Sequence, residues 1–255
     1  MSSTCLSPPF GGQLAASLAD RAYHSIRTLI LKGTYPLGAT LVRRDLAERF
    51  GMSVVPVAEA LARLESEGLV ENRPRVGTIV FVPTPAQIRG RWVVREALEV
   101  HAARLFAQRA GAEERGKLWH LAEEFDLEQE DLGRLPSIDP ETMFEHRCRH
   151  TRLHLQIPES AGAPELAKAI ELNQVVLFYW IHDQAAYGGS PMPSRWHRDL
   201  ADTLCHASAE EAGAAMRAHV NDRLDVLMRN LEAYLTINLD RMNDAHNAPG
   251  PQNRP

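Results

Sequence analysis

Glycine and proline punctuation cuts residues 18–83 into three short helical runs and a hairpin, and few folds accommodate that order. Leu18, Ala22, Ile26, Leu29 and Ile30 recur at helical spacing up to Gly33. Tyr35-Pro36-Leu37-Gly38 reads as a turn. A second helix over Arg43–Phe50 places Leu46, Ala47 and Phe50 on one face and stops at Gly51. Ser53 is then a suitable N-cap for a third helix, with Pro56 in its first turn, where a missing N–H costs little. That helix turns Val57, Leu61 and Leu64 inward and ends by Gly68. Leu69–Arg73 and Thr78–Val82 are strand-like, and Pro74-Arg75-Val76-Gly77 closes a hairpin between them. Three helices and a two-stranded wing make a winged helix-turn-helix.

Pro83-Thr84-Pro85 disfavours helix and marks a boundary. Everything beyond reads as helix, over 86–110, 112–132, 140–157, 163–187, 192–207 and 209–240. The breaks fall at Gly111, Gly133/Pro136, Pro158–Pro164, Gly188–Pro191 and near Ser208. The expected fold is therefore mainly α: a winged helix-turn-helix over 15–83, a linker at 84–87 and an all-α helical bundle over 88–240. Residues 1–14, rich in Ser, Pro and Gly, read as a flexible tail, and 241–255 as a disordered one.

Composition excludes several classes. With 44% hydrophobic and 24% charged residues in 255, the chain has material for a core. The best apolar run, Val175–Ile181, is far shorter than the ~18 residues of a membrane span. Met1–Leu14 carries no basic residue, so a secretory signal is not expected and a cytoplasmic protein is. Cys5, Cys148 and Cys205 are too scattered for a disulfide framework or a cysteine zinc site, and reduced thiols are expected. Net charge is −5, yet residues 15–83 hold nine Lys/Arg against seven Asp/Glu. A slightly basic module on an acidic body suits nucleic acid.

The stretches Tyr35–Leu41, Asp45–Ser53 and Glu59–Val70 resemble the DNA-binding domain of the GntR family of bacterial transcription regulators. The helical remainder resembles the FadR-type effector domain of that family, called FCD, through Arg95–Glu99, Leu153-His154, Ala161–Leu166, Trp196-His197 and Met216–His219. The resemblance implies DNA contacts at Arg44, Ser53, Val54, Val55 and Ala58, and at the wing around Arg75 and Gly77. A recognition helix enters the major groove N-terminal end first, which offers Ser53, Val54, Val55 and Val57, with Ala58 a turn on. Family members often carry arginine where this chain has Val54 and Ala58. Valine and alanine offer only apolar contact, for instance to a thymine methyl. Either the operator differs, or binding leans on Arg43, Arg44, Arg73 and Arg75, which taken alone also read as solvated surface charges.

Eleven histidines are the other informative residues. His150 and His154, four apart, share a helix face, as half of a metal site does and as many surface or core pairs do. His197 and His219 sit on later helices, and the resemblance places all four at FCD metal-ligand positions. Family members usually have aspartate where this chain has His150. An all-histidine set brings no negative charge and favours Zn, Ni, Co or Cu over Mg, Ca or Mn. A divalent cation left uncompensated there would attract an anion strongly. His146 is expected to be exposed, with a substitute ligand as the alternative. Arg95 matches an effector-cavity position, where it could grip a carboxylate; it could equally pair with Glu99 one turn on. Val175–Trp180 reads as core, with Tyr179 or Trp180 able to line a pocket.

The resulting expectation is a homodimeric, metal-dependent regulator. It binds a pseudo-palindromic double-stranded DNA operator, under control of a small organic or sugar acid. A regulator that senses the metal itself, or uses it only structurally, is the alternative. A helical metalloenzyme fused to a DNA-binding domain is less favoured. No His-Glu-x-x-His motif exists, and no carboxylate is placed by pattern beside the ligands to act as a base; Glu159 is the nearest in sequence.

Overall fold

The computed structural model describes residues 17–182 and 193–222, with 224, 225, 228, 229 and 232. The expected tails at 1–14 and 241–255 lie outside them, as do most of the helical expectation at 222–240 and the side chains of the Val175–Ile181 run. Two compact units emerge, one centred on residues 17–85 and the other on 86–179 with 193–225.

The N-terminal unit is α1 (Leu18–Leu31), α2 (Arg43–Phe50), α3 (Val54–Ser66), β1 (Val70–Arg73) and β2 (Gly77–Val80). Its antiparallel strands pair Val70 with Val80 and Arg73 with Gly77. Thr40 adds a single bridge to Ile79, so the segment entering α2 is tied to the wing. Ser17 and Asp20 form a capping box at the start of α1. Gly51 ends α2 at φ +63°, the left-handed conformation that lets α3 turn away within a few residues. Ser53 occupies the N-cap of α3 with extended backbone, but its side chain makes no capping bond. Ile26, Ile30, Leu46, Val57, Leu61, Leu64 and Leu69 form the core. α1 packs on α3, where the Tyr23 hydroxyl donates to Glu67 at 2.7 Å beneath the Arg63 guanidinium.

The C-terminal unit is α4 (Pro85–Arg109), α5 (Ala112–Gly133), α6 (Pro140–Ser160), α7 (Pro164–His182), α8 (Trp196–His206) and α9 (Ala209–Asn221). α5 packs on α6 and α8, and α8 on α9. Two prolines behave differently from expectation. Pro85 opens α4 instead of continuing a linker over 84–87, because a first-turn proline gives up an N–H that has no helical acceptor anyway. Pro158 does not end α6, which continues to Ser160. It sits in the last turn, costs only the bond to the His154 carbonyl, and Ala161 N–H still reaches the Ile157 carbonyl at 3.2 Å. Cys205 is a buried free thiol. No described helix is long and apolar enough to cross a membrane.

Leu64 is fully buried between α1 and the wing-bearing end of α3. Leu64→Ala is expected to destabilise the protein by about 2–5 kcal/mol, measured by chemical denaturation.

Candidate metal centre and nucleic-acid interface

Helix periodicity builds the first half of the centre. Asp139 caps α6 by accepting from the Glu141 and Thr142 amides, with Pro140 at the first helical position. The helix then carries His146, His150 and His154 along one stripe, four residues apart. His197 comes from the first turn of α8 and His219 from the last turn of α9, which a Ser208–Glu211 capping box starts. One nitrogen from each of His150, His154, His197 and His219 lies within 4.8 Å of the others. His154, His197 and His219 are buried and His150 partly so.

Buried carboxylates orient two of these rings. Asp126 on α5 accepts from His197 Nδ1 at 2.8 Å and from the Arg198 amide at 2.9 Å. The same carboxylate lies 3.2 Å from the His197 amide. It thereby caps α8, whose own N-cap Arg195 makes no side-chain capping bond, and leaves His197 Nε2 facing the cluster without a hydrogen-bond partner among the described residues. Glu99 on α4 lies with Oε2 2.6 Å from His154 Nδ1, with Oε1 2.7 Å from Arg95 Nε, and accepts from Gln174 Nε2 at 2.8 Å. His154 Nε2 and both ring nitrogens of His219 likewise have no hydrogen-bond partner among the described residues. His219 is stacked at 4.1 Å on Trp196.

The electrostatics follow from burial. Desolvation holds His150 and His219 well below the usual histidine pKa, helped by neighbouring imidazoles. His197 is also lowered by burial, against the opposing pull of Asp126. Burial alone would raise Glu99 and Asp126. Arg95 and His154 outweigh it for Glu99, and His197 with the Arg198 amide does so for Asp126, so both sit below the ordinary carboxylate range. His150, His197 and His219 are thus neutral donors and the two carboxylates charged.

These donors fit a divalent transition metal. Buried imidazole nitrogens without partners are costly unless something satisfies them. Tetrahedral donors at ~2.1 Å from zinc stand about 3.4 Å apart, so a cluster whose donor atoms lie within 4.8 Å of one another would draw together around the ion by up to about 1.4 Å.

Several expectations change here. His146 is not exposed: it is buried, stacked on Phe125 at 4.4 Å, with Nδ1 3.2 Å from Glu128 and Nε2 3.3 Å from Gln129. It lies outside the four-histidine cluster. Two carboxylates do stand behind the histidines, which sequence reasoning missed because Glu99 and Asp126 come from other helices. An i+4 spacing to Arg95 was the only signal for Glu99, and Asp126 had none. Arg95 and Arg198 in turn offset the two acids, so this layer is close to neutral and a divalent cation would keep most of its charge. Arg95 is buried and paired with Glu99, and Glu159 pairs with Arg152 on the outside.

On the N-terminal unit, Arg43, Arg44, Ser53, Val54, Val55, Arg75 and Gly77 are exposed and Ala58 is half-buried. Val57 is fully buried and belongs to the core. Arg73 is paired with Glu71 at 2.7 Å, which neutralises it. Arg43, Arg44 and Arg75 make no ion pair among the described residues. Arg75 holds the wing tip at φ +68°, beside Gly77 at +96°.

Residues 18–80 match the family described as bacterial regulatory proteins, gntR family, and residues 92–222 match the FCD domain. The chain belongs to the GntR family and carries an FCD domain. It is 39% identical over 89 residues to an HTH-type transcriptional regulator from the TAR-I ttuE-ttuC' intergenic region of Agrobacterium vitis, covering 35% of this chain and 52% of that protein. It is 33% identical over 85 residues to the HTH-type transcriptional repressor RspR of Escherichia coli, covering 33% and 37%. A probable D-xylose utilization operon transcriptional repressor of Paenarthrobacter nicotinovorans is 38% identical over 78 residues, covering 31% and 34%. The matches span about a third to a half of these relatives' length. All three are named as transcriptional regulators or repressors. The fold matches E. coli McbR/YncC with a TM-score of 0.65 at 21% identity, over 84% of this chain and 99% of that one. A GntR regulator from Rhodococcus sp. RHA1 matches at 0.63 and 20%, over 82% and 97%.

Two outcomes follow. Metal-free protein should lose stability as pH falls below the ordinary histidine value near 6.5, since the unfolded chain then takes up protons that the buried rings refuse. The expected slope is about 1.4 kcal/mol per pH unit for each histidine held neutral, read from denaturation of chelator-treated protein between neutral and mildly acidic pH. Asp126→Asn should weaken zinc binding by about 10–100-fold in chelator competition, because the Asn amide no longer fixes the His197 ring as an anion does.

Proposed function

We propose that this protein is a DNA-binding transcription regulator whose operator binding is controlled through a metal centre in its FCD domain. The observation that carries the reading is the four-histidine cluster, on the same chain as a gntR-family winged helix whose exposed turns carry arginines that make no ion pair among the described residues. His150, His154, His197 and His219 would hold a divalent transition metal, most readily zinc, with nickel, cobalt or copper as alternatives. A bound cation would supply a Lewis-acid anchor for the carboxylate of a small organic or sugar acid. Asp126 and Glu99 hold two of the rings, and Arg95 would be the guanidinium that meets an incoming carboxylate. That role would require Arg95 to share its donors with Glu99.

The DNA surface in this reading is Arg43, Arg44, Ser53, Val54, Val55, Ala58, Arg75 and Gly77. The domain division runs from a winged helix over 15–83 to an effector and dimerisation bundle over 88–240. The Pro83–Pro85 segment joins them. A homodimer in the cytoplasm, with two winged helices on a pseudo-palindrome, suits this arrangement. The Arg95–Glu99 pair favours a second reading, in which the metal itself is the signal. A gel-shift series with chelator, with zinc alone, and with zinc plus organic acids separates the two: only an acid-dependent change supports the first.

Arg44→Ala should weaken binding to all duplexes alike and lower the salt slope by about one. His150→Ala, His154→Ala, His197→Ala and His219→Ala should each reduce zinc per chain and melting temperature, while His206→Ala, at an exposed position, leaves both unchanged. Full zinc occupancy in all four variants would remove the proposed centre.

A further inference from the structure

We propose that the first turn of α3 reads thymine methyl groups, so that the preferred duplex carries thymines in the major groove opposite Val54 and Val55. The inference rests on the DNA-binding reading above and names the chemistry of its target. In the N-terminal unit the exposed large apolar side chains are Leu18, Val42, Val54, Val55 and Val76. Four of the five lie on three short segments: the N-cap of α2, the first turn of α3 and the wing tip. Val55 is 65% exposed and Val54 41%, although the core is only a turn away.

Single exposed valines are ordinary, but their concentration on these turns is not. Arg43, Arg44 and Arg75 share the same segments without ion-pair partners among the described residues. This combination suits a polyanion that also presents apolar features. Along Ser53–Ala58 only Ser53 has a side-chain hydrogen-bonding group. Guanine and cytosine edges facing such a turn would lose water-mediated bonds and gain nothing in return. The thymine 5-methyl is the apolar feature of the major-groove edge, and it fits a valine methyl. Half-buried Ala58 leaves the following turn low enough for close approach.

The test uses the full chain and a randomised duplex pool. Enrichment should yield half-sites with thymines, and replacing each such thymine by uracil, which lacks the methyl, should weaken binding about fourfold per methyl. The Val54→Ala/Val55→Ala variant shortens two exposed side chains outside the core. It should lose the thymine–uracil difference while keeping its melting temperature and its salt slope on unselected DNA. Equal binding of thymine and uracil duplexes by the unaltered protein would overturn the proposal. So would an undiminished thymine–uracil ratio in the double variant. No enrichment of any duplex would instead overturn the DNA-binding reading itself.

Discussion

The buried carboxylate of Asp126 joins three requirements that the C-terminal unit must meet together. It terminates α8 by accepting from the Arg198 amide, a first-turn donor for which the helix has no acceptor of its own. It ties α5 to α8 across the bundle. It also fixes the tautomer of His197, so that Nε2 points at the other imidazoles. An apolar side chain there would leave buried donors unsatisfied and the His197 ring free to flip. Charge is tolerated in that position because two hydrogen bonds and the Arg198 guanidinium surround it.

Glu99 does for His154 what Asp126 does for His197, with a different counter-charge. Its two oxygens divide between His154 on one side and Arg95 with Gln174 on the other. The four rings are therefore backed by two anions, each matched by an arginine. The local charge of the cluster is set by this surrounding layer rather than by the ligand types alone. An aspartate in place of His150 would add a further anion to a balanced site, and that change is distinct from supplying the first one.

In the N-terminal unit the governing constraint is steric. Gly51 in the left-handed conformation brings α3 off α2 in a few residues, and the bridge from Thr40 to Ile79 holds the wing beside the entry to α2. These fixed turns place Arg43, Arg44, Val54, Val55 and Arg75 at exposed ends of elements whose other faces are core. Arg75 at φ +68° costs about 1–3 kcal/mol of backbone strain, which the closed hairpin sustains.

Most of the fold was legible in the sequence, because periodicity and caps are local. The helices over 43–50, 85–109, 112–133, 140–160 and 209–221 fall within a few residues of their expected starts. The four histidines could be grouped by resemblance, and two of them by i, i+4 spacing alone. What periodicity could not supply was anything that depends on two helices meeting. The burial of His146 against Phe125 is one such case, and the removal of Val57 from the groove-facing set is another. The neutralisation of Arg73 by Glu71 and the carboxylates behind His154 and His197 complete them. A sequence records which side chains share a helix face; which face looks at which is decided only when the helices pack, since the same stripe of histidines could meet solvent, core or each other.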